Sequence, residues 1–247
     1  MSDLELSPSN ETREGLNYEE TVRGHVHYEI TRRNLQQYVK DVDPMEVLYT
    51  GAGAAVEAIR MAYLRHEVTV VEPSEEKANR IAAVRSRLVK NVGRRITLLN
   101  QPIEDVLENF KYVQKFDMLM SHCAARQLLH PTELIDNMAC SLRKGGWLSI
   151  VERGYPAAEN QRTIDDDGAQ VYAFKEPELR SAIELNGLKV KKFVGVRLIS
   201  DNDYRDIKQV DRDELVGIVN EEDSLGHTKY KAAEGQFLHF IARKPTM

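Results

Sequence analysis

Apolar positions follow two rhythms along this chain. Short apolar runs at 46–50, 67–71, 95–99 and 116–121 read as buried strands, and near-helical apolar spacing fills 54–64, 75–90 and a short stretch near 103–109. Strand and helix signals alternating in this way specify a parallel sheet with crossover helices. A helix over 132–142 stops at Lys144-Gly145-Gly146, after which WLSIVE reads as a fifth strand, with the glycines as helix stop and turn. Ahead of the first strand, Val22, Val26, Ile30, Leu35 and Tyr38 recur at near-helical spacing, which predicts a helix over 22–39 placed to cover a pocket at the sheet edge. Past 153 the chain is polar to about 170 and reads as a surface loop or lid. A helix over 175–186 that stops at Gly187, a long strand LKVKKFVGVRLIS, a charged helix over 207–222 and a closing strand QFLHFIARK complete the pattern. No internal repeat or interdomain linker interrupts it.

Composition narrows the class. At 247 residues the chain fits one α/β domain with additions. With 42% hydrophobic and 30% charged residues and no apolar run near ~18 residues, a membrane-spanning segment is not expected. Residues 1–16 are polar and acidic, are expected to be disordered, and lack the apolar core of a signal peptide, so a cytoplasmic location is expected. The domain is expected to run from 17 to 247, with a lid-like insertion at 153–174 that carries Asp165, Asp166 and Asp167. A net charge of −5 argues against broad phosphate-tracking surfaces but leaves room for a local basic patch. Cys123 and Cys140 have no metal-type spacing and are expected to be reduced thiols; no metal site is expected.

Chemistry concentrates at Glu46 to Ala55, EVLYTGAGAA, where an apolar run meets a glycine turn that opens directly into helix-forming residues. Gly51 and Gly53 can adopt backbone angles closed to other residues, and they leave no side chain between the main chain and a ligand. A second apolar run, Val68 to Val71, ends in Glu72, near the ~20-residue offset at which such folds place a carboxylate on ribose hydroxyls. Together these features point to an adenosine-containing cofactor. The turn lacks the third glycine of the dinucleotide fingerprint and has no Walker lysine, which disfavours both a bound pyrophosphate and a phosphate-cradling loop. A plain strand-turn-helix junction would use the same glycines.

Four segments in order, VLYTGAGAA, VTVVEP, KFDMLMSHCAARQLL and LRKGGWLSIVER, resemble the class I S-adenosylmethionine-dependent methyltransferases over 18–244. Within that class, NGLKVKKFVGVRLISDNDY at 186–204 and the terminal EGQFLHFIARKP are most similar to the tRNA 5-carboxymethoxyuridine methyltransferases, with a looser match at VRGHVHYEI. The resemblance implies a Rossmann-like sheet of seven strands, the last antiparallel, with helices on both faces and cofactor over the carboxyl ends of the first strands, where open α/β sheets bind ligands. It also implies that Gly51, Ala52 and Gly53 pass the methionine part of S-adenosylmethionine and that Glu72 accepts both ribose hydroxyls. Ile103 would offer an apolar face to the adenine, Glu104 would lie at its exocyclic amine, and His122 would stand beside the cofactor. Arg197 would pair with a substrate carboxylate and Tyr204 would stack on a base. As structural alternatives, Glu104 is a solvated helix-start residue, His122 a satisfied strand-end histidine, Arg197 a polar-face strand residue and Tyr204 core.

Three departures qualify the match. Tyr49 replaces the first-motif aspartate and Ala55 its last glycine; His27 stands where the similar family has arginine; and Asp165 to Asp167 put acid where a tRNA-binding relative is expected to be basic. The expected activity is methyl transfer to a carboxyl group of a modified tRNA wobble uridine, with a small-molecule O-methyltransferase as the alternative and a non-catalytic cofactor-binding module as the minor one. A carboxylate acceptor needs no general base; a hydroxyl or amine would, and His122 is the first residue to examine for it. Clustered cations at the pocket mouth, Arg197 and Arg205 among them, would favour RNA over a metabolite.

Overall fold

A computed structural model describes residues 20–51, 53–124, 131–154, 162–164 and 170–246. Seven strands form one twisted sheet in the order β3-β2-β1-β4-β5-β9-β8: Ile96–Leu99, Glu67–Val71, Glu46–Gly51, Phe116–His122, Leu142–Arg153, Phe237–Arg243 and Lys189–Val196. The first five pair in parallel, and β9 is antiparallel to both β5 and β8. Val47, Leu48 and Tyr49 of β1 are all buried, as expected of a central parallel strand covered on both faces.

Helices cover both faces. α5 (Ile103–Leu107), α6 (Pro131–Ser141) and α7 (Glu176–Leu185) close a core around Leu48, Leu119, Ile135, Leu148 and Phe240. On the opposite face, α2 (Ala54–Tyr63), α3 (Glu75–Ser86) and the C-terminal half of α1 (Val22–Val39) close a second core around Val47, Tyr49, Met61, Val70 and Met120. The N-terminal half of α1 packs with α8 (Arg212–Gly226) over β8 and β9, burying Val22, Val26, Ile30, Val194 and Phe237.

Local chemistry moves several boundaries. The strand expected over 188–200 ends at Val196, because the buried carboxylate of Glu222 on α8 accepts the amide N–H groups of Leu198, Ile199 and Ser200 and pulls that segment into a turn. The helix expected over 207–222 is a 3-10 turn at Ile207–Gln209 followed by α8, which begins only after Asp211, whose side chain caps Asp213 and Glu214. The helix expected over 75–90 breaks at Arg87, and a separate turn of helix, α4 (Lys90–Gly93), leads into β3. β5 starts earlier than expected, at Leu142: residues 143–146 bulge out between the Phe116–Leu142 and Met118–Trp147 pairs, with Gly145 at φ +80°. Within the stretch expected to be a loop or lid, β6 (Arg162–Ile164) and β7 (Gln170–Tyr172) pair antiparallel; Asp165 to Asp167 and the 1–16 leader lie outside the described residues.

Candidate cofactor and acceptor site

Gly51 closes β1 opposite His122 of β4, which in turn pairs with Val151 of β5, so the glycine turn sits on the carboxyl edge of the sheet. Gly51 lies at φ +102°, and a Cβ there would come within 1.9 Å of the His122 carbonyl oxygen. Gly53 lies at φ +74°, and its Cβ would meet the Tyr28 ring at 2.6 Å. Both positions require glycine on conformation, and Gly51 also on space against fixed backbone, whereas the atoms near Gly53 belong to the Tyr28 side chain. Tyr28 belongs to α1, so the N-terminal helix does lie over the turn. Ala52 falls outside the described residues.

Glu72 follows β2 and is buried, with Oε1 accepting from the Ser74 N–H at 2.9 Å. Asn100, just past β3, donates from Nδ2 to the carbonyls of Glu72 at 2.9 Å and Pro73 at 3.2 Å, which fixes the loop that carries the carboxylate. Ile103 is buried at the first position of α5, and Glu104 follows it, half-buried in the first helical turn, where negative charge is favoured. The residues present fit an adenosine cofactor: a carboxylate on a pinned loop for a diol, an apolar side chain beyond the next strand, and a main chain without side chains at the turn.

His122 sits differently from the expectation of a base. Its ring is buried inside a polar chain that crosses four strands. Asn34 Nδ2 is 3.3 Å from His239 Nδ1, His239 Nε2 is 3.1 Å from Ser149 Oγ, Ser149 Oγ is 3.1 Å from His122 Nε2, and His122 Nδ1 is 3.0 Å from Tyr49 Oη. Burial holds the His122 pKa at about 3 and the His239 pKa well below its usual value, so both rings are neutral. A neutral imidazole has one donor and one acceptor nitrogen, and both nitrogens of each ring have a partner in the chain. In either tautomer the accepting nitrogen of His122 is occupied, by Ser149 or by Tyr49, and general-base duty would require breaking that bond. Tyr49, at the position of the missing aspartate, is committed to the same chain.

The substrate candidates come together with α1. Thr21 bridges to Asp206, Val22 N donates to the Arg205 carbonyl at 2.9 Å and Arg23 N to the Asp203 carbonyl at 3.1 Å, clamping the helix start onto the 203–206 turn. There the Arg23 guanidinium lies 3.9 Å from the Tyr204 ring centroid, a cation–π contact. Arg197 is buried in the left-handed region at φ +58°, paired with Asp201 and 5.0 Å from the Phe237 ring centroid. His27 meets Phe237 edge-on at 4.6 Å between centroids. Arg205, expected at the mouth as a cation for RNA, is tied to Asp203 at 2.7 Å and Glu214 at 2.8 Å. Arg23, Phe237, Asp201 and Glu222 were not singled out by sequence reasoning. Arg23, Asp201 and Phe237 lie in the segments VRGHVHYEI, NGLKVKKFVGVRLISDNDY and EGQFLHFIARKP that carry the resemblance, which pointed to those segments without ranking their residues; Glu222 lies in none of them.

No family model matches the sequence, and no curated protein does. Solved structures match the fold. The [4+2]-cyclase SpnF has 17% identity and a TM-score of 0.62, over 89% of this chain and 81% of that one. The 1,6-didemethyltoxoflavin-N1-methyltransferase of Burkholderia thailandensis, crystallised with 1,6-didemethyltoxoflavin and S-adenosylhomocysteine, has 17% identity and a TM-score of 0.57, over 89% and 78%. An S-adenosylmethionine-dependent methyltransferase from Mesorhizobium loti has 14% identity and a TM-score of 0.58, over 87% and 98%. The chain has the Rossmann-like fold of class I methyltransferases.

Proposed function

We propose that this protein is an S-adenosylmethionine-dependent methyltransferase whose cofactor lies between the glycine turn, Glu72 and α5. The observation that carries the proposal is the pairing of two obligatory glycines at the end of β1 with the pinned Glu72 carboxylate at the end of the adjacent strand. SpnF, a [4+2]-cyclase, has the same fold, so the fold alone does not specify methyl transfer and the site has to.

Glu72 would take the ribose hydroxyls, Ile103 and Glu104 the adenine, and Gly51 to Gly53 the methionine part. When bound, S-adenosylmethionine supplies an electrophilic methyl group for in-line displacement. The protein's work is to align the acceptor and exclude water. Tyr28 covers the turn from α1, and the same helix carries Arg23, which meets Tyr204, and His27, which meets Phe237 where that ring faces Arg197. Because His122 is held neutral with its acceptor nitrogen in use, the site suits an acceptor that needs no deprotonation by that ring, such as a carboxylate.

For the acceptor we favour a carboxyl group of a modified wobble uridine in tRNA, with the basic surface described below as the physical support. A small-molecule acceptor is the second reading; the neutralisation of Arg205 by Asp203 and Glu214 favours it. Incubation with methyl-labelled S-adenosylmethionine and either total tRNA or a metabolite extract tests both. Label in tRNA supports the first reading, label only in the metabolite fraction supports the second, and label in neither overturns methyl transfer.

A further inference from the structure

Charge is unevenly spread over this acidic chain. Residues 80–95 hold six Lys or Arg side chains, Arg80, Arg85, Arg87, Lys90, Arg94 and Arg95, and no Asp or Glu. Two of them are neutralised locally: Arg80 pairs with Glu76, and Arg95 lies 3.7 Å from Glu67. Among the described residues the other four have no carboxylate within ion-pair distance. Arg85 at the end of α3 gains from the helix dipole and donates to the Ile96 carbonyl at 3.0 Å. Arg87, Lys90 and Arg94 are exposed and hold up no element of the fold.

These cations have a defined shape around them. Arg85, Lys90 and Arg94 line an open groove of about 590 Å³ between the end of α3, α4 and β3, with Ile96, Thr97 and Leu98 as its floor. β3 is the edge of the sheet, but Arg85 occupies the Ile96 carbonyl there, which obstructs addition of a peptide strand. A nucleic-acid backbone can lie along so open a groove, with its phosphates against Arg85, Lys90 and Arg94.

We propose that the groove between α3, α4 and β3 is a docking surface for the phosphate backbone of RNA. α3 runs from the Glu72 loop to the groove over 12 residues, about 18 Å at 1.5 Å per residue, so a partner reaching both ends must be longer than a metabolite. The proposal rests on the methyltransferase reading for its purpose, since RNA held here would present one nucleotide at the carboxyl edge; binding itself needs no cofactor.

The test uses a fluorescein-labelled RNA hairpin, titrated with full-length protein by fluorescence anisotropy at several salt concentrations, without cofactor. Three phosphate contacts, at the lining cations Arg85, Lys90 and Arg94, predict a slope of log affinity against log salt of about −2 to −3, and the R87Q/K90Q/R94Q variant, which removes two of them and the neighbouring Arg87, should lose most of that slope and at least tenfold in affinity at low salt. All three side chains are exposed, so the variant should unfold at the wild-type temperature. Equal affinity and slope in variant and wild type would overturn the proposal, as would no binding of the hairpin, or equally tight binding of poly-glutamate or of phosphatidylserine vesicles. Failure here with S-adenosylmethionine bound normally would remove the RNA surface alone. Failure to bind S-adenosylmethionine with the hairpin bound as expected would remove the catalytic reading alone.

Discussion

Glu222→Gln is the most informative single change outside the cofactor loops. Glu222 is fully buried on α8, and its two oxygens accept three backbone N–H groups: Leu198 on Oε1, Ile199 and Ser200 on Oε2. Those bonds shape the turn that carries Arg197 in its left-handed conformation. Glutamine keeps the volume but offers one acceptor oxygen. Facing that oxygen toward Ile199 and Ser200 sets its amide N–H₂ against the Leu198 N–H, so one charge-assisted bond is lost, a buried donor goes unsatisfied and the other two bonds lose their charge. The expected cost is about 2–4 kcal/mol. For a domain of this size that corresponds to a fall in melting temperature of about 4–16 °C. Thermal unfolding by circular dichroism measures it, and calorimetric titration with S-adenosylhomocysteine serves as the control. Cofactor affinity should hold within about twofold, because the cofactor loops lie at the other end of the sheet order. A melting temperature unchanged within about 1 °C would refute the role of the carboxylate, and a parallel loss of cofactor affinity would mean that the turn and the cofactor loops are one unit.

Glu72→Ala removes a charged acceptor for two ribose hydroxyls and should weaken S-adenosylhomocysteine binding by about 1.5–3 kcal/mol, roughly 10- to 150-fold, by calorimetry; unchanged affinity would take Glu72 out of the site. Gly53→Ala should weaken binding as well, through its φ of +74° and the clash with Tyr28, and adding Tyr28→Ala should recover only the steric part. The buried histidines make stability pH-dependent. His122 titrates near 6.5 when unfolded and about 3 when folded, and His239 is shifted the same way, so between those values the unfolded chain binds more protons. Their contribution is fully present above about pH 6.5 and is lost as pH falls toward 3, with a limiting slope of about 2.7 kcal/mol per pH unit for two sites. Urea midpoints at pH 7 and pH 5 should show it, and Ser149→Ala should reduce it. Identical midpoints would show that the rings are solvated.

Legibility in the sequence tracked the range of the interaction. The glycine turn, Glu72 and the alternation of strands and helices are local patterns, and the parallel sheet with crossover helices follows from them; seven strands with the last antiparallel was implied by the family resemblance. The polar chain from Asn34 to Tyr49 was invisible because its members are far apart: Asn34 and His239 are 205 residues from each other, and nothing in the sequence pairs them. Glu222 looked like one more charge on a charged helix, since only the tertiary fold brings it beneath Leu198 to Ser200. Arg197 read as a strand residue for the same reason; the strand stops one residue before it. The basic stretch 80–95 is plain in the sequence, but its meaning depends on α3 breaking at Arg87, which no periodicity announced.

The central claim is tested most directly by isothermal titration of the purified chain with S-adenosylmethionine. The account predicts one-to-one binding that Glu72→Ala weakens at least tenfold. No heat of binding by a folded protein, or binding that Glu72→Ala leaves unchanged, would contradict it.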